Sequence, residues 1–259
     1  MVVTDYDEAA GLLRGLLESA SRVVAFTGAG LSTESGIPDY RSKGSPWTRL
    51  APIPFDRFLA DPDQRAEAWR RKFAMDDLYV GAQPSRGHRV LSHLVRAGRV
   101  GTIITQNIDN LHQDSGVGPD HLVELHGNGT YARCMACGLR HELPPIRAVF
   151  ARSGVAPACE ACGGIVKSAT ISFGQGLPAE VLAAARQAAL TCDLFIAMGS
   201  SLVVYPAAAF PVLARRNSAE LVIVNREPTP LDSEAGLVVR ADIGSILAAT
   251  VPLAVHDFR

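Results

Sequence analysis

The chain has 259 residues, of which 47% are hydrophobic, and a formal net charge of −1. That apolar content is enough to bury a full core and excludes a disordered chain. The near-zero charge provides no general electrostatic attraction to nucleic acid or to a membrane surface.

In chain order, Asp5-x-x-Glu8 predicts a capped helix that carries Leu12, Leu13, Leu16 and Leu17 on one side. The residues before it lack the basic stretch and apolar core of a secretory signal, and no apolar run approaches the ~20 residues of a membrane span. A soluble, cytoplasmic chain is the expectation. Val23–Thr27 reads as a buried strand ending in Gly28-Ala29-Gly30, where a backbone without Cβ atoms can approach a phosphate. Ser32, Asp39 and Arg41 crowd the same loop. Residues 42–60 are rich in Pro, Ser and Gly and predict a loop. Asp61-Pro62 opens a helix to about Tyr79, and its cluster Arg70-Arg71-Lys72 is flanked by Glu67, Asp76 and Asp77, as on a solvated helix face. Ser85 to Gly98 is a second helix, with a Ser cap, apolar Val90, Leu91, Leu94 and Val95, and a terminal Gly.

Residues 101–105 and Leu122–Leu125 predict strands. Residues 127–165 change character and become cysteine-bearing. Alternation then resumes, with strands at Ser168–Phe173, Asp193–Met198, Glu220–Val224 and Leu237–Arg240. Helices are expected at Pro178–Leu190 and Pro206–Arg216, and a last one is capped by Asp242. The pattern predicts an α/β fold, with a parallel sheet covered on both faces that binds ligands at the carboxyl ends of its strands. The Gly28 loop, Gln106–Asp109, Gly199–Ser201 and Asn225–Glu227 all follow predicted strand ends and should converge on one crevice.

Cys134-x-x-Cys137 and Cys159-x-x-Cys162 are separated by 21 residues, each pair beside a glycine turn. In a cytoplasmic chain two such knuckles predict one structural Zn2+ held by four thiolates, with no coordination position left for a catalytic water. Cys192 reads as a small buried residue and not as a nucleophile.

Taken singly, the other polar clusters are ambiguous. Gly28-x-Gly30 fails the dinucleotide spacing, since the third glycine is Gly36, and no P-loop lysine follows. Thr105-Gln106-Asn107-Ile108-Asp109-Asn110-Leu111-His112 fits an Asx-rich turn as well as a site for an amide and ribose hydroxyls. His126, between a strand and Gly127, is either a packed polar residue or a base with an ordinary pKa near ~6.5.

Together, in this order along residues 10–250, the segments 27–41, Thr105–His112, His126-Gly127, the cysteine quartet, Phe173-Gly174-Gln175, Gly199–Leu202 and Asn225–Glu227 closely resemble the sirtuin family of NAD-dependent protein deacylases. The resemblance implies a Rossmann-like NAD-binding domain of residues 1–41, 85–126 and 166–259. It also implies a small domain, made of a helical insertion (42–84) and a zinc-ribbon module (127–165). It places NAD, as co-substrate, against Gly28, Ala29, Gly30, Ser32, Thr33, Ile37, Asp39, Tyr40, Arg41, Gln106, Asn107, Ile108, Asp109, Gly199, Ser200, Ser201, Asn225, Arg226, Glu227 and Ala241. His126, Asn107 and Asp109 become the catalytic residues. An acyl-lysine peptide lies along His126, Ser172, Phe173 and Gly174.

Tyr40 stands where the family usually has Phe. Ile171–Gln175 replaces a more apolar run ending in Gly-Glu, and Lys167–Thr170 lacks the usual proline. Family members that favour acidic acyl groups carry Tyr-x-x-Arg where Trp69 and Lys72 fall here; a lysine offers a point charge and no planar fork, so neutral acyl groups are expected. Mono-ADP-ribosyl transfer to protein and a non-catalytic NAD or ADP-ribose sensor remain alternatives. A zinc-ribbon nucleic-acid binder is disfavoured by the few Lys and Arg in the cysteine module. Oligomeric state is open, with a monomer as the expectation.

Overall fold

The computed structural model describes residues 1–39, 45 and 52–251. Tyr40 and Arg41, and residues 42–44 and 46–51 of the segment expected to be a loop at 42–60, lie outside the described residues.

The described elements run β1 (Val2–Val3), α1 (Tyr6–Ser19), β2 (Val23–Thr27), α2 (Phe55–Ala60), α3 (Pro62–Leu78), α4 (Arg86–Arg96), β3 (Val100–Thr105), α5 (Leu111–Asp114) and β4 (Leu122–Glu124). They continue as β5 (Gly127–Cys134), β6 (Arg140–Glu142), α6 (Leu143–Ser153), β7 (Val166–Thr170), α7 (Ala179–Thr191), β8 (Leu194–Met198), α8 (Ala209–Arg216), β9 (Glu220–Val224), β10 (Leu237–Val239) and α9 (Ile243–Thr250). The caps act as the sequence implies: Asp5 accepts from the Glu8 N–H, Asp61 from the Asp63 and Gln64 N–H groups, and Asp242 from the Ser245 N–H. Ser85 and His88 form a reciprocal capping box at the start of α4.

Three predicted boundaries change. Residues 55–60 are helical, because Pro54 serves as N-cap and Phe58 has a core to enter. The strand expected over Ser168–Phe173 ends at Thr170, where the chain leaves the ladder and the Ile171 N–H bonds the His126 carbonyl. The helix expected from Pro206 begins at Ala209. Val2–Val3, too short to show a period, adds an edge strand beside β10.

Seven strands form one sheet in the order β1-β10-β9-β8-β2-β3-β4, parallel throughout. Alternating side chains feed two cores. Val23, Ala25, Ile196 and Val222 pack under α1, α4 and α9, whereas Val24, Phe26, Phe195 and Ile223 pack with the residues of α7 and α8. A second, three-stranded antiparallel sheet, β6-β5-β7, shares a third core with α3 and α6: Trp69, Phe73, Ala132, Cys134, Ile146, Cys159 and Val166. Trp69 is 2% exposed and stacks on Phe73.

The strand order explains where the site falls. From β2 the chain steps outward through β3 and β4, then returns to β8 on the opposite side of β2 and steps outward again through β9 and β10. The reversal lies between β2 and β8, and the loops leaving such a pair diverge and open a crevice at their carboxyl ends. No helix among the described residues is long and apolar enough to cross a membrane.

Candidate active site

The loops leaving β2 and β8 are Gly28–Leu31 and Gly199–Leu202. They touch. The Gly28 N–H bonds the Met198 carbonyl at 2.9 Å and the Gly30 N–H bonds the Gly199 carbonyl at 2.9 Å. A Cβ at Gly28 would sit 2.6 Å from the Gly199 oxygen, one at Gly30 2.7 Å from the Gly199 Cα, and one at Gly199 2.6 Å from the Leu31 nitrogen. The three glycines are required by this backbone-to-backbone approach, and Gly199 also by its φ of +63°. After β2 the chain makes two short 3-10 turns, Ala29–Leu31 and Thr33–Ser35, in place of a long helix. The loop therefore does not build the helix N-terminus of a dinucleotide fingerprint, in keeping with its spacing.

Behind this crossing lies a connected polar cluster. Ser32, fully buried, donates from Oγ to Asp109 Oδ2 at 2.6 Å and accepts from Asn107 Nδ2 at 3.2 Å. Asn107 Nδ2 also reaches the Gly28 carbonyl at 3.1 Å. Asp109 Oδ1 accepts from the Leu111 N–H. Burial raises the Asp109 carboxyl above its ordinary pKa, and the bonds from Ser32 and Leu111 only partly oppose it. Gln106 spans the crevice from β3, donating from Nε2 to Ser200 Oγ at 2.8 Å. Thr33 Oγ1 bonds the Gly30 carbonyl, the Ile37 N–H bonds the Ser32 carbonyl, and the Ile108 carbonyl accepts from the Gly129 N–H at 2.7 Å. Asp39, at the end of the described part of this loop, accepts through its carbonyl from Ser45 Oγ.

His126 follows β4. Its Nδ1 lies 3.0 Å from the Gln106 carbonyl, which can only accept, so Nδ1 carries the proton and Nε2 keeps its lone pair. Burial pushes the His126 pKa below the ordinary value, and the Gln106 bond pulls it partly back. Gly127 is fixed behind it, since a Cβ there would fall 2.0 Å from the Ala169 oxygen.

Next to His126, Ser172–Gln175 forms a closed turn. The Ser172 N–H bonds Gln175 Oε1 at 3.1 Å, and the Gln175 N–H bonds the Ser172 carbonyl at 2.9 Å. Phe173 is 58% exposed at its tip, Gly174 has φ +84°, and the Phe173 carbonyl accepts from the Phe55 N–H of α2. Lys167, which no sequence motif singled out, is buried behind this turn. Its Nζ donates to the Thr170 and Ser168 carbonyls and lies 5.9 Å from the Phe58 ring centroid. Burial lowers its pKa to about 8.

On the far side of the crevice the Asn225 N–H bonds the Val239 carbonyl, and Asn225 Nδ2 bonds the Glu227 carbonyl at 2.7 Å. Arg240 braces this turn through the Asn225 and Glu227 carbonyls. Arg226 is exposed and pairs with Asp242; Glu227 is exposed, and Ala241 and Ser201 are half-buried. Hydrogen bonds join the Gly28 loop, Gln106–Asn107 and Gly199–Ser200, whereas Asn225–Glu227 is bonded to β10 and Arg240.

The cysteines form a separate centre. All four Sγ atoms lie within 4.8 Å of one another, with Cys134–Cys162 at 3.5 Å and Cys137–Cys159 at 3.7 Å, and none is in a disulfide. A tetrahedron with Zn–S bonds near 2.3 Å has edges of about 3.8 Å, so the donor set and its spacing fit one structural zinc. Gly164 leaves the room, since a Cβ there would come 2.9 Å from Cys134 Sγ. Cys192 is buried, bonded to the Ala189 carbonyl, with a thiol pushed up to about 11, as an inert packed residue should be.

In α3, Arg70 and Arg71 pair with Glu67 as expected of a solvated face, but Lys72 is not solvated. It is held by Asp76, and burial lowers the Lys72 pKa and raises that of Asp76.

A family model described as the Sir2 family matches residues 28–206. A protein of Rhodopseudomonas palustris named NAD-dependent protein deacetylase is 58% identical over 239 residues, covering 92% of this chain and 94% of its own. One of Bradyrhizobium diazoefficiens named NAD-dependent protein deacetylase 1 is 52% identical over 97% of this chain and 98% of its own. Among solved structures, a Sir2 protein with p53 peptide and NAD+ superposes with a TM-score of 0.81 at 34% identity, covering 91% of this chain and 94% of that one. A Sir2 protein bound to a propionylated peptide gives 0.82 at 32% identity, over 92% and 94% of the two chains. The match over residues 28–206 and identities of 58% and 52% over nearly the whole chain show that this chain belongs to the Sir2 family.

Proposed function

We propose that the chain is an NAD-dependent protein-lysine deacetylase, with NAD as co-substrate and one structural zinc. The observation that carries this reading is His126. Its protonated Nδ1 is anchored on the carbonyl of Gln106, the residue before Asn107, so Nε2 keeps a free lone pair.

In this reading the adenosine half of NAD lies against Gly199, Ser200, Ser201 and Asn225, and its pyrophosphate over Ala29, Gly30 and Ser32. Nicotinamide faces Gln106, Asn107, Ile108 and Asp109. Residues 1–41, 85–126 and 166–259 act as the nucleotide-binding unit, and 42–84 with 127–165 as the unit that closes the acyl side. The acyl-lysine peptide lies extended along Ser172–Gly174, read mainly through its backbone. Its acyl oxygen attacks the ribose C1′ as nicotinamide leaves, and holding the two in line is the largest contribution the protein makes. His126 Nε2 then takes the proton of the ribose hydroxyl that attacks the resulting adduct. Water completes the release of lysine and O-acyl-ADP-ribose.

Lys72 supports a neutral acyl group. Its ammonium is committed to Asp76 and offers no unpaired cation to a succinyl or malonyl carboxylate.

The test incubates the zinc-loaded chain, wild type and His126→Ala, with NAD and acetyl-, succinyl- and myristoyl-lysine peptides. Nicotinamide release is followed and products are identified by mass spectrometry. Acetyl peptide should yield O-acetyl-ADP-ribose, with the variant slower by about 10²–10⁴-fold. ADP-ribose left on protein, with no O-acyl product, would replace this reading with mono-ADP-ribosyl transfer. A variant as fast as wild type would remove His126 from the chemistry.

A further inference from the structure

Beneath the site two histidines touch, and the deacetylase mechanism uses neither. His88 is 0% exposed and His112 1%. Their rings meet edge to face with centroids 4.9 Å apart. Each has one buried nitrogen without a protein partner, Nε2 of His88 and Nδ1 of His112. Two orphaned nitrogens on adjoining rings invite a proton count.

The count starts at Ser85. Its backbone N–H, which can only donate, points at His88 Nδ1 at 3.2 Å, so that nitrogen is bare. Burial keeps His88 neutral, and its single ring proton is therefore on Nε2, the orphaned atom. At the other ring, His112 Nε2 lies 2.9 Å from Thr27 Oγ1. The one hydroxyl proton of Thr27 is directed to Thr105 Oγ1 at 2.9 Å, so Thr27 accepts from His112 Nε2–H. Burial lowers the His112 pKa to about 3, which leaves the ring neutral and its orphaned Nδ1 an acceptor. An orphaned donor and an orphaned acceptor thus lie on two touching rings.

We propose that His88 Nε2–H donates to His112 Nδ1 through one bridging water, closing a one-way hydrogen-bond chain that makes both histidines positioning residues for nicotinamide cleavage. The chain runs Ser85 N–H, His88, His112, Thr27, Thr105, and Thr105 Oγ1 also receives the Asn107 N–H at 3.1 Å. At its other end Ser85 Oγ lies 2.7 Å from the same bare Nδ1 and gives it its one hydroxyl proton, so its 3.1 Å approach to the Leu31 carbonyl is no second full hydrogen bond. The chain thus ties the start of α4 to the segment that carries Asn107 and Asp109. A neutral pair serves this task better than an ion pair, since no charge needs burial under the site. The positioning role rests on the deacetylase reading above; the proton arrangement does not.

Two measurements test it on the full, zinc-loaded chain. Two-bond 1H–15N spectra of histidine-labelled protein should show both rings as the Nε2–H tautomer, neutral from pH 8 to about pH 5.5. A ring protonated on Nδ1, or one titrating near ~6.5, overturns the chain. Substitution separates its two links. His112→Gln places an amide donor where Nε2 stood and keeps the Thr27 bond, whereas His112→Asn loses it. The Asn variant should lower kcat for nicotinamide release about tenfold or more, the Gln variant about threefold, both with KM for NAD within about twofold. Equal losses in the two variants, or losses carried by KM, would mean a merely structural role. A wild-type chain that releases no nicotinamide would overturn the deacetylase reading and the positioning role with it, while the spectra alone decide the tautomers.

Discussion

Replacing Ser32 with Ala tests whether the cluster beneath the Gly28 loop is held by charge. The Ser32 hydroxyl is fully buried and makes two bonds, one to Asp109 and one from Asn107. Asn107 keeps its second acceptor, the Gly28 carbonyl, so the main loss falls on Asp109. A hydrogen bond to an ionised carboxylate is worth about 1.5–3 kcal/mol and one to a neutral acceptor about 0.5–1.5 kcal/mol. A cycle of Ser32→Ala, Asp109→Asn and the double variant isolates the difference, about 1 kcal/mol of coupling at pH 8. The pH sign follows from burial. The folded pKa of Asp109 lies above its ordinary value, so the native state binds that proton more tightly than the unfolded chain, and stability from this group falls as pH rises through the window above ~3.8. The Ser32 bond opposes that fall because it favours the carboxylate. The coupling is therefore fully present above the folded pKa of Asp109 and shrinks as pH drops through it. Guanidinium unfolding of the four proteins at pH 8 and pH 5 reads both numbers. Coupling below about 0.3 kcal/mol at pH 8, or larger at pH 5 than at pH 8, would refute a charge-assisted cluster.

The burial of His126 sets the acid limb of the rate. With its pKa held below the ordinary ~6.5, kcat/KM should fall with a midpoint under 6.5, and a midpoint above it would contradict the desolvated base. Cys159→Ser leaves three thiolates; bound zinc should drop from one equivalent per chain and thermal stability with it, whereas an unchanged Tm after zinc loss would show that the β6-β5-β7 module stands without metal. Gly30→Ala forces a Cβ against the Gly199 backbone, so stability should fall by about 1–3 kcal/mol and KM for NAD should rise; a silent variant would mean the loops separate at no cost. Lys167→Met removes the amine that holds the Thr170 and Ser168 carbonyls beneath the Ser172–Gln175 turn, so KM for the acyl peptide should rise with KM for NAD unchanged, and the reverse split would place Lys167 on the nucleotide side.

What was legible in the sequence was what depends on local pattern. Caps at Asp5, Asp61, Ser85 and Asp242 announce helices because one side chain satisfies N–H groups two or three residues away. Two Cys-x-x-Cys pairs announce a metal because no packing argument produces that spacing. The helix at 55–60 was missed because Pro and Ser around it outweigh two Phe residues, and those Phe residues matter only once Lys167 and the Phe173 carbonyl come near them. Lys167 itself gave no signal, since a lysine in a strand is ordinarily exposed and only the tertiary fold shows it buried. The same holds for His88 and His112, 24 positions apart in sequence, whose contact depends on how α4 packs against α5.

The spacing of Gly28 and Gly30 illustrates how one motif answers to two demands. Read alone, it suggests a backbone brought close to phosphate. In the fold both glycines face Gly199, and that third glycine of the contact comes from the loop after β8, 171 residues beyond Gly28. The dinucleotide fingerprint needs its third glycine for helix–strand packing, and here no long helix follows β2, so that glycine has no task at its usual place. The polar residues that replace the helix, from Ser32 onward, then occupy the space where a helix N-terminus would otherwise meet the pyrophosphate. In the proposed reading such a loop sets Ala29, Gly30 and Ser32 on the pyrophosphate side, with Asn107 and Asp109, bonded to Ser32, on the nicotinamide side. Loop-to-loop packing at the switch point is thus what frees the segment after Gly30 for chemistry.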